Sequence, residues 1–480
     1  MSAHQPTVFE RYPPSASVIA HSLEETRQAV FWLDELGTPS VHPALASTIS
    51  ADLAIVGGGF TGLWTALRAK QRDPDRRVVL VEAKRIGWAQ SGRNGGFVEA
   101  SITHGEENGR SRWPNEYAQL ARLGLDNLDA MERTVAELGL DVQWERTGEL
   151  DVATEPHQLA WLDGASATEH PDADTVLFDR EGVQAEVHSP SYLGGTWRKH
   201  EVALVHPARL ARELARAAAE AGVEIFEDSP VRRIDADSMG MLEVVTDAGR
   251  VRADRVALGT SVFPSLLVRN RLMTVPVYDY VLMTEPLDAR QRASIGWERR
   301  QGIGDLANQF HYSRLTADDR ILFGGYDAVY HYGGRVRAQH EDRPQSFEKL
   351  ASHFFTLYPQ LEGLQFSHRW AGAIDTSTQF CAFFGTARRE RIAYAAGFTG
   401  LGVGATRFAA DTMLDLLDGE PTERTELEMV RKRPLPFPPE PAASIGIQAT
   451  RWSLNRADHR EGRRNLLLRT LDALGLGFDS

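Results

Sequence analysis

The sequence predicts an α/β fold (α+β overall), in which a Rossmann-like nucleotide-binding domain is interrupted by an inserted domain built on an antiparallel sheet. The first observation is an apolar run at 53–56 that ends in three glycines, followed by a helical pattern at 61–72 and a second apolar run at 78–81. That order is typical of a parallel βαβ unit. The second observation is that pieces of such a domain recur at 200–265 and 370–420, separated by blocks that alternate as antiparallel strands do.

The remaining helices and strands are predicted from the spacing of apolar residues and from the residues that begin or end each element. Apolar residues at helical spacing predict helices within 115–140 that end at Gly139. Pro207 begins an alanine-rich helix that runs to Gly222. The other predicted elements are a strand at 223–226, a hairpin turning at 247–249, a strand at 256–258, an antiparallel sheet over 270–370 with one helix at 346–357, a strand at 392–396 and a helix at 406–417.

These pieces divide the chain into interleaved domains. The leader looks polar, with regular structure starting at Asp52. The tail from Ile445 combines aliphatic residues at helical spacing with many arginines, which predicts a helix laid on the body of the protein. The predicted segments are a leader (1–50), three parts of the cofactor domain (51–140, 201–268 and 369–430), two parts of the substrate domain (141–200 and 269–368) and a Pro-rich connector with a C-terminal helical tail (431–480).

Composition narrows the function classes. The 480 residues are 42% apolar and 25% charged, as in an ordinary globular protein, and the net charge of −13 argues against a nucleic-acid partner. The one cysteine, Cys381, excludes an intrachain disulfide and a Cys-rich metal site, and no metal is predicted. The N-terminus shows no secretory signal and no apolar run is long enough to span a membrane, so we expect a cytoplasmic protein.

The first chemical motif is G-x-G-x-x-G at 57–62, between the first strand and the first helix. The three glycines allow a tight turn, a close approach of pyrophosphate and close packing of helix on strand, and the helix N-terminus faces the phosphates. Glu82 ends the second strand, where a carboxylate accepts ribose hydroxyls, which favours FAD or NAD over NADP. The predicted cofactor residues here are Gly57, Gly59, Phe60, Thr61, Gly62, Glu82 and Ala83.

Two further glycine-rich segments extend this site. The segment 87–96 (GWAQSGRNGG) is long enough to lie along a cofactor, which favours FAD over the shorter NAD. The segment 396–404 (AGFTGLGVG) precedes a helix, whose N-terminus would stabilise the negative charge of a reduced flavin. The residues predicted to bind the cofactor from these segments are Ser91, Gly92, Arg93, Asn94, Gly95, Gly96, Gly397, Gly400, Leu401, Gly402 and Val403.

Together, AIVGGGFTGLWTALRAK, VEAKRIGWAQSGRNGGF and AGFTGLGVGATRFAADTML resemble the D-amino-acid oxidase superfamily of flavoproteins, and within it the gamma-glutamylputrescine oxidase branch. The likeness runs from FWLD at 31–34 to about residue 430. It implies an FAD-binding domain with an inserted substrate domain. It also implies that Val231 holds adenine through its backbone, and that Gly259 and Thr260 lie near the phosphates.

The resemblance implies oxidation of an amine at its C–N bond, with hydride transfer to flavin N5 and an imine that hydrolyses to an aldehyde. Oxygen would be the acceptor and give hydrogen peroxide. Superfamily members with covalent flavin carry a cysteine where this chain has Ala373, so we expect non-covalent FAD. The lysine that activates oxygen in those enzymes has no counterpart in 321–327, which leaves a dehydrogenase with another acceptor open.

A lysine that holds a substrate carboxylate in that superfamily falls at about Gly404, which favours an elongated amine over a small N-methyl amino acid. A gamma-glutamyl-linked polyamine fits this expectation. Two rivals remain: a flavoprotein dehydrogenase or monooxygenase acting on a non-amine, and a flavin-binding assembly protein without amine turnover.

Candidate catalytic residues come from the inserted sheet and the flavin loops: His104, His311, Tyr312, Tyr280 and Trp370. Tyr278 and Tyr280 alternate with Asp279 and so share one face of a strand, where they would wall an amine site. Asp375 could pair with a distal ammonium and Arg314 with a distal carboxylate. Structural histidines and core aromatics are the alternative interpretation of these residues.

Overall fold

The computed structural model describes residues 5–37, 41–162, 174–236 and 240–477. Parts of the predicted leader, of segment 141–200 and of the tail therefore lie outside the described residues. The strands are β1 (Arg27–Gln28), β2 (Thr48–Val56), β3 (Val78–Val81), β4 (Phe97–Glu99), β5 (Glu149–Ala153), β6 (Thr175–Phe178), β7 (Gly194–Arg198), β8 (Val202–Leu204), β9 (Glu224–Phe226), β10 (Arg233–Ala236), β11 (Leu242–Val245), β12 (Arg250–Leu258), β13 (Thr274–Thr284), β14 (Gly302–Asp305), β15 (His311–Leu315), β16 (Ile321–Gly325), β17 (Val329–Tyr330), β18 (Phe366–Ser377), β19 (Phe383–Ala387) and β20 (Ile392–Ala396).

The helices complete the description. They are α1 (Val8–Arg11), α2 (Ala16–Leu23), α3 (Phe31–Glu35), α4 (Phe60–Arg72), α5 (Gly105–Arg112), α6 (Tyr117–Glu137), α7 (Arg180–Glu186), α8 (Pro207–Glu220), α9 (Ala289–Ile295), α10 (Pro344–Leu357), α11 (Ala405–Asp418), α12 (Glu423–Glu426), α13 (Glu428–Arg431), α14 (Ala442–Asp458) and α15 (Leu466–Ala473). None of them, within the described ranges, is long and apolar enough to cross a membrane.

An eight-stranded sheet forms the cofactor side of the molecule, in the order β10-β11-β12-β2-β3-β9, with β20 pairing with β12 and β19 with β20. Strands β12, β2, β3, β9 and β20 run parallel. Their carboxyl ends therefore meet at one edge, which is where open α/β sheets bind ligands. Helices α4, α8 and α11 contribute to the large apolar core on one face of this sheet.

A ten-stranded sheet forms the other side, in the order β1-β18-β13-β16-β15-β14-β5-β7-β6, with β17 on β13. Its centre is the antiparallel pair β13 and β18, which stay in register from Thr274 opposite Ser377 to Met283 opposite His368. A second apolar core, to which α10 contributes, packs against it. The mixed parallel and antiparallel architecture confirms the predicted α/β (α+β) class.

The chain passes between the two sheets several times, and we retain the interleaved domain boundaries as a proposal. Strand β18 continues in the ten-stranded sheet to Ser377, beyond residue 368 where the sequence placed the end of the substrate domain. The strand predicted at 256–258 is the end of a longer strand, β12, because Arg250 begins pairing with β2 before the apolar stretch. Helix α9 was not predicted.

The prediction of an irregular leader is wrong. Helix α1 places Val8 and Phe9 in the core of the ten-stranded sheet, and β1 pairs parallel with β18. These elements are short and are separated by polar residues, so the sequence shows no apolar periodicity that would predict them. The tail is likewise two helices, α14 and α15, rather than one.

Candidate active site

A cavity of 1640 Å³ lies at the carboxyl ends of β2, β3, β12 and β20 and extends to the facing ten-stranded sheet. Its wall includes all the predicted cofactor residues except Gly62, Gly92 and Gly397. The three glycine-rich segments, far apart in the sequence, therefore border one space. Ligand cavities in proteins commonly measure about 300–1,000 Å³, so this one has room for a large cofactor and a further ligand.

The first glycine turn has the geometry of a phosphate cradle. Gly57 has φ +112°, a conformation that residues with a side chain rarely adopt. A Cβ on Gly62 would collide with the carbonyl oxygen of Gly57, which keeps α4 close to β2. The amide of Phe60 opens α4 and donates to Ser91 Oγ at 2.9 Å, so the second segment meets the helix N-terminus there.

Glu82 is buried at the end of β3 and lines the cavity. Its Oε2 accepts from the Gly58 amide at 2.6 Å, and its Oε1 accepts from the Lys84 amide at 2.8 Å and Trp88 Nε1 at 2.9 Å. These donors hold the carboxylate beside the first turn, where the sequence predicts a ribose contact.

The second glycine segment is held by buried donors from elsewhere. Trp32 Nε1 in α3 donates to the carbonyl of Asn94 at 2.9 Å, and Trp370 Nε1 in β18 donates to the carbonyl of Arg93 at 2.8 Å. Arg314 Nη1 donates to Val205 O at 2.6 Å and to Gly96 O at 3.4 Å. Trp370 and Arg314 are therefore buried supports outside the cavity wall, and the structure does not bring them to the cavity where their predicted roles in catalysis and in carboxylate binding would place them.

Within the same segment, two polar side chains fold back on the protein. Arg93 donates to Glu341 at 2.8 Å and to the carbonyls of Ala371 and Trp88. Asn94 Oδ1 accepts from the Gly96 amide at 2.8 Å, which stabilises the turn where Gly96 has φ +79°.

The third glycine segment is held by Asp375. Its Oδ2 accepts from the Gly397 amide at 2.7 Å, while its own carbonyl accepts from the Thr399 amide at 3.2 Å. Asp375 lines the cavity, and burial raises the pKa of its carboxyl to about 7. Gly400 has φ +97° and open space around it, as a turn that admits a ligand requires.

The remaining predicted cofactor contacts, Val231, Gly259 and Thr260, also line the cavity. A Cβ on Gly57 would strike the carbonyl of Gly259, so the ends of β2 and β12 touch at this point.

Strand β13 presents Asp279 to the cavity. Tyr312 lies in β15, which is separated from β13 by β16 in the same sheet. Its hydroxyl donates to Asp279 Oδ2 at 2.5 Å, and both residues line the cavity. The Tyr312 ring packs against Gly95 and Gly324, where a Cβ would collide with it. Burial raises the pKa of Asp279 to about 6, although the Tyr312 hydrogen bond opposes the shift.

The tyrosines flanking Asp279 lie on the other face of β13, as the alternation predicts, and both contribute to the apolar core of the ten-stranded sheet. Tyr280 donates to the carbonyl of His340 at 2.8 Å and does not reach the cavity. Tyr278 engages the backbone of Arg337 through its hydroxyl. Tyr278 also lines the cavity, whereas Tyr280 does not. The structure therefore brings only one of the two tyrosines to the predicted amine site, because alternation along a strand shows which residues share a face but not how much of that face borders the cavity.

Of the two candidate histidines, one lies at the cavity and the other does not. His104, with φ +60°, lines the cavity, and burial, with a contribution from the Arg112 cation, lowers its pKa to about 4. His311 does not line the cavity: its Nδ1 hydrogen-bonds Asp305 at 2.6 Å and its Nε2 hydrogen-bonds His353 at 2.8 Å. The proposed catalytic role of His311 is therefore corrected to a buried polar network in the core.

An acidic group that the sequence analysis missed occupies another part of the wall. Glu99 of β4 and Glu149 of β5 line the cavity, and Arg198 Nη2 lies 3.0 Å from both Glu149 Oε2 and Asp151 Oδ2. Burial raises the pKa of Glu149 to about 8, and the nearby Asp151 carboxylate adds to the shift. Glu149 and Asp151 alternate in ELDVA, which is a signal for one polar face of a strand.

The C-terminal helices also border the cavity, through apolar residues of α14 and α15 such as Ile447, Leu454 and Leu471. The tail is therefore part of the site. Within the described residues no cluster of three or more His, Cys, Asp or Glu side chains is placed to hold a metal ion.

The chain is similar in sequence and in fold to known flavoproteins. Residues 52–416 match the model of the FAD-dependent oxidoreductase (DAO) family. The chain is 29% identical to gamma-glutamylputrescine oxidoreductase of Escherichia coli, over 78% of this chain and 85% of that protein. It is 25% identical to a probable oxidoreductase, OrdL, of Haemophilus influenzae, over 81% and 88%. The crystal structure of glycine oxidase from Geobacillus kaustophilus superposes with a TM-score of 0.65 at 20% identity, over 81% of this chain and all of that one.

Proposed function

The chain belongs to the DAO family of FAD-dependent oxidoreductases, and we propose that it binds FAD non-covalently and oxidises an elongated amine. The observation that carries the proposal is that one cavity is bordered both by three glycine-rich turns and by the carboxyl groups of Glu99, Glu149 and Asp279. The first set fits a dinucleotide, and the second fits a cationic amine.

The residues present fit FAD. The α4 N-terminus and the Gly57 and Gly59 turn would hold the pyrophosphate, Glu82 the ribose, and the turn before α11 the flavin. Cys381 is fully buried and lies outside the cavity wall, and burial raises the pKa of its thiol to about 12. A protonated thiol away from the cavity supports non-covalent binding, so acid precipitation should release all of the flavin.

The chemistry that FAD supplies when bound is acceptance of a hydride equivalent from the carbon beside the amine nitrogen, giving an imine that hydrolyses to an aldehyde. The protein's own contribution is to bind and orient the amine. The Asp279 carboxylate, held by Tyr312, attracts an alkylammonium into the cavity. The surrounding buried, apolar wall favours the neutral amine, which is the reactive form.

The acidic group on β4 and β5 supports an elongated substrate with a second cationic nitrogen. Four carboxyl groups, those of Glu99, Glu149, Asp151 and Glu201, act on one guanidinium, that of Arg198, and Glu99 and Glu149 line the cavity. A bound ammonium would lower the raised pKa of Glu149 by favouring its charged form. The name of the E. coli relative, gamma-glutamylputrescine oxidoreductase, makes gamma-glutamylputrescine the first substrate to try.

We propose oxygen as the electron acceptor, with hydrogen peroxide as product. A dehydrogenase with another acceptor is the second candidate. Related oxidases use a lysine to activate oxygen, and Lys84 is the one lysine among the described residues that line this cavity. The Lys84 ammonium lies 4.0 Å from the centre of the Trp88 ring, a cation–π contact that occupies this lysine. We place the activity in the cytoplasm, in keeping with a lone, buried cysteine.

Anaerobic addition of gamma-glutamylputrescine to the purified holoenzyme, followed by air, tests the function. We expect the flavin absorbance to bleach and to return in air as peroxide appears. Bleaching that persists in air would support the dehydrogenase. No bleaching by this compound or by a panel of diamines and monoamines would contradict amine oxidation.

The variant Glu149→Gln tests the acidic group. We expect KM to rise about tenfold for a substrate with a second ammonium, since a charge-assisted contact contributes about 1.5–3 kcal/mol, and to change little for a monoamine of equal length. Glu201→Gln is the matched control, because Glu201 lies beside Arg198 but outside the cavity wall. Equal effects on both substrates would argue against a distal cation site.

A further inference from the structure

Large apolar side chains are exposed around the outer end of the cofactor cavity. Leu435, Ile445 and Leu467 line the cavity and are also exposed to solvent. In α15, Leu466 is 79% exposed, and Leu474, which follows this helix, is 63% exposed. We name these five residues the apolar rim. Single exposed apolar residues are common, whereas a group of them marks an interaction surface.

Helix α15 has leucines on both of its faces. Leu468 is buried against Leu454 and Ala457 of α14, and Leu471 lines the cavity. Leu466 and Leu474 take no part in these contacts and are exposed, and the exposed Arg469 lies between them in the sequence. A helix at the surface of a globular protein needs only its inner face apolar, so the outer leucines are unexplained by folding.

The tail also differs in charge from the rest of the chain. Residues 431–480 contain nine Lys or Arg and five Asp or Glu, a net charge of +4 in a chain of −13. Within the described part of the chain, neither Arg433 nor Arg469 has a carboxylate within ion-pair distance, and both are exposed. Basic side chains around exposed leucines are typical of helices that lie in the headgroup region of an anionic bilayer.

We propose that the apolar rim and its arginines dock this protein on the surface of an anionic lipid bilayer. A second copy of the chain fits less well, because a two-fold interface would bring two tails of like charge together. Anionic lipids attract the arginines instead, at about 1 kcal/mol for each basic residue near the surface. Docking in this way places Leu435, Ile445 and Leu467, which line the cavity, at the membrane surface. The inference is independent of the proposed substrate.

Cosedimentation of the holoenzyme with vesicles tests this surface. We expect binding at low salt to vesicles of phosphatidylcholine with phosphatidylglycerol, weak binding to phosphatidylcholine alone, and release at high salt. The double variant Leu466→Gln with Leu474→Gln, and separately Arg433→Gln with Arg469→Gln, should each weaken the partition at least tenfold. None of these four residues lines the cavity, so flavin content and amine turnover report that each variant is folded.

Matched controls come from other exposed residues. Leu125→Gln with Leu138→Gln, and Arg180→Gln with Arg290→Gln, should bind vesicles as the unaltered protein does. The proposal fails if the unaltered protein does not bind anionic vesicles at low salt, or if the controls lose binding as strongly as the rim variants. It also fails if the protein is a dimer in solution that the leucine variant converts to monomer, because the rim would then be covered by a second copy.

Discussion

At the scale of single residues, the surroundings of a carboxyl group decide its chemistry. Glu82 accepts three hydrogen bonds from N–H donors, which hold its carboxylate beside the first glycine turn. Asp279 and Asp375 line the same cavity, yet burial raises the pKa of each. The sequence shows three acidic residues near predicted motifs. The burial that raises the pKa of Asp279 and Asp375 depends on segments distant in the sequence, so the sequence alone does not reveal it.

The titration of Asp375 gives a stability prediction. Its pKa is about 7 in the folded protein, well above the usual value for an aspartate carboxyl, so the folded state binds more protons than the unfolded state between about pH 4 and pH 7. The free energy of unfolding of the apoprotein therefore falls as the pH rises through this window. Asp375→Asn removes the titration but keeps an acceptor for the Gly397 amide. We expect the variant to gain on the order of 3 kcal/mol relative to the unaltered apoprotein between pH 4 and pH 8.

Urea unfolding of both apoproteins at a series of pH values measures this difference. Asp254→Asn, on β12, serves as the matched control and should show no such divergence. If the stability curves of the unaltered protein and Asp375→Asn run parallel with pH, the buried titration is absent.

At the scale of elements, short segments outside the family match support the cofactor turns. Helix α3 precedes residue 52, where the match to the family model begins, yet its Trp32 donates to the second glycine segment. Trp32 is buried and its ring also meets His206 edge-on, so its position is set by packing. FWLD at 31–34 belongs to the family likeness visible in the sequence, but its contact with Asn94 is decided by packing between segments that lie far apart in the chain.

Trp32→Phe should raise the dissociation constant of FAD about tenfold. The change removes the indole N–H and leaves the carbonyl of Asn94 without its donor, and a lost buried hydrogen bond costs about 1–3 kcal/mol. Quenching of flavin fluorescence on titration into apoprotein measures the constant. Trp161→Phe is the control, because Trp161 is half exposed and outside the cavity wall. An unchanged constant in Trp32→Phe would show that this contact does not hold the cofactor segment.

At the scale of the whole molecule, a buried ion-pair network joins the helices that follow the first and third glycine motifs. Asp411 of α11 lies 2.9 Å from Arg68 and 2.8 Å from Arg72 of α4. Asp415 lies 2.8 Å from Arg72 and 2.7 Å from Arg424. The network ties segments some 340 residues apart in sequence, so the two halves of the cofactor site depend on each other's position.

Asp411→Ala should lower the free energy of unfolding by about 3–5 kcal/mol, because it removes the buried carboxylate that Arg68, Arg72 and Arg407 share and leaves Arg68 without its ion-pair partner. Glu106→Ala, which breaks the exposed pair with Arg110, should cost less than about 1 kcal/mol. Urea unfolding of the apoproteins compares the two. Similar losses in both variants would mean that the α4–α11 network contributes no more than a surface pair.

The sequence by itself determined the fold class, the three glycine turns and the residues that share a face of each strand. Those features depend on residues close together in the chain: Gly57 needs a positive φ, and Tyr278 and Tyr280 alternate with Asp279. Only the tertiary structure decided that Asp279 borders the cavity, that His311 and Trp370 lie in the core, and that Glu99 and Glu149 meet there. A cavity wall is assembled from strands and helices that are distant in sequence, so which face of an element borders it depends on packing against the rest of the molecule.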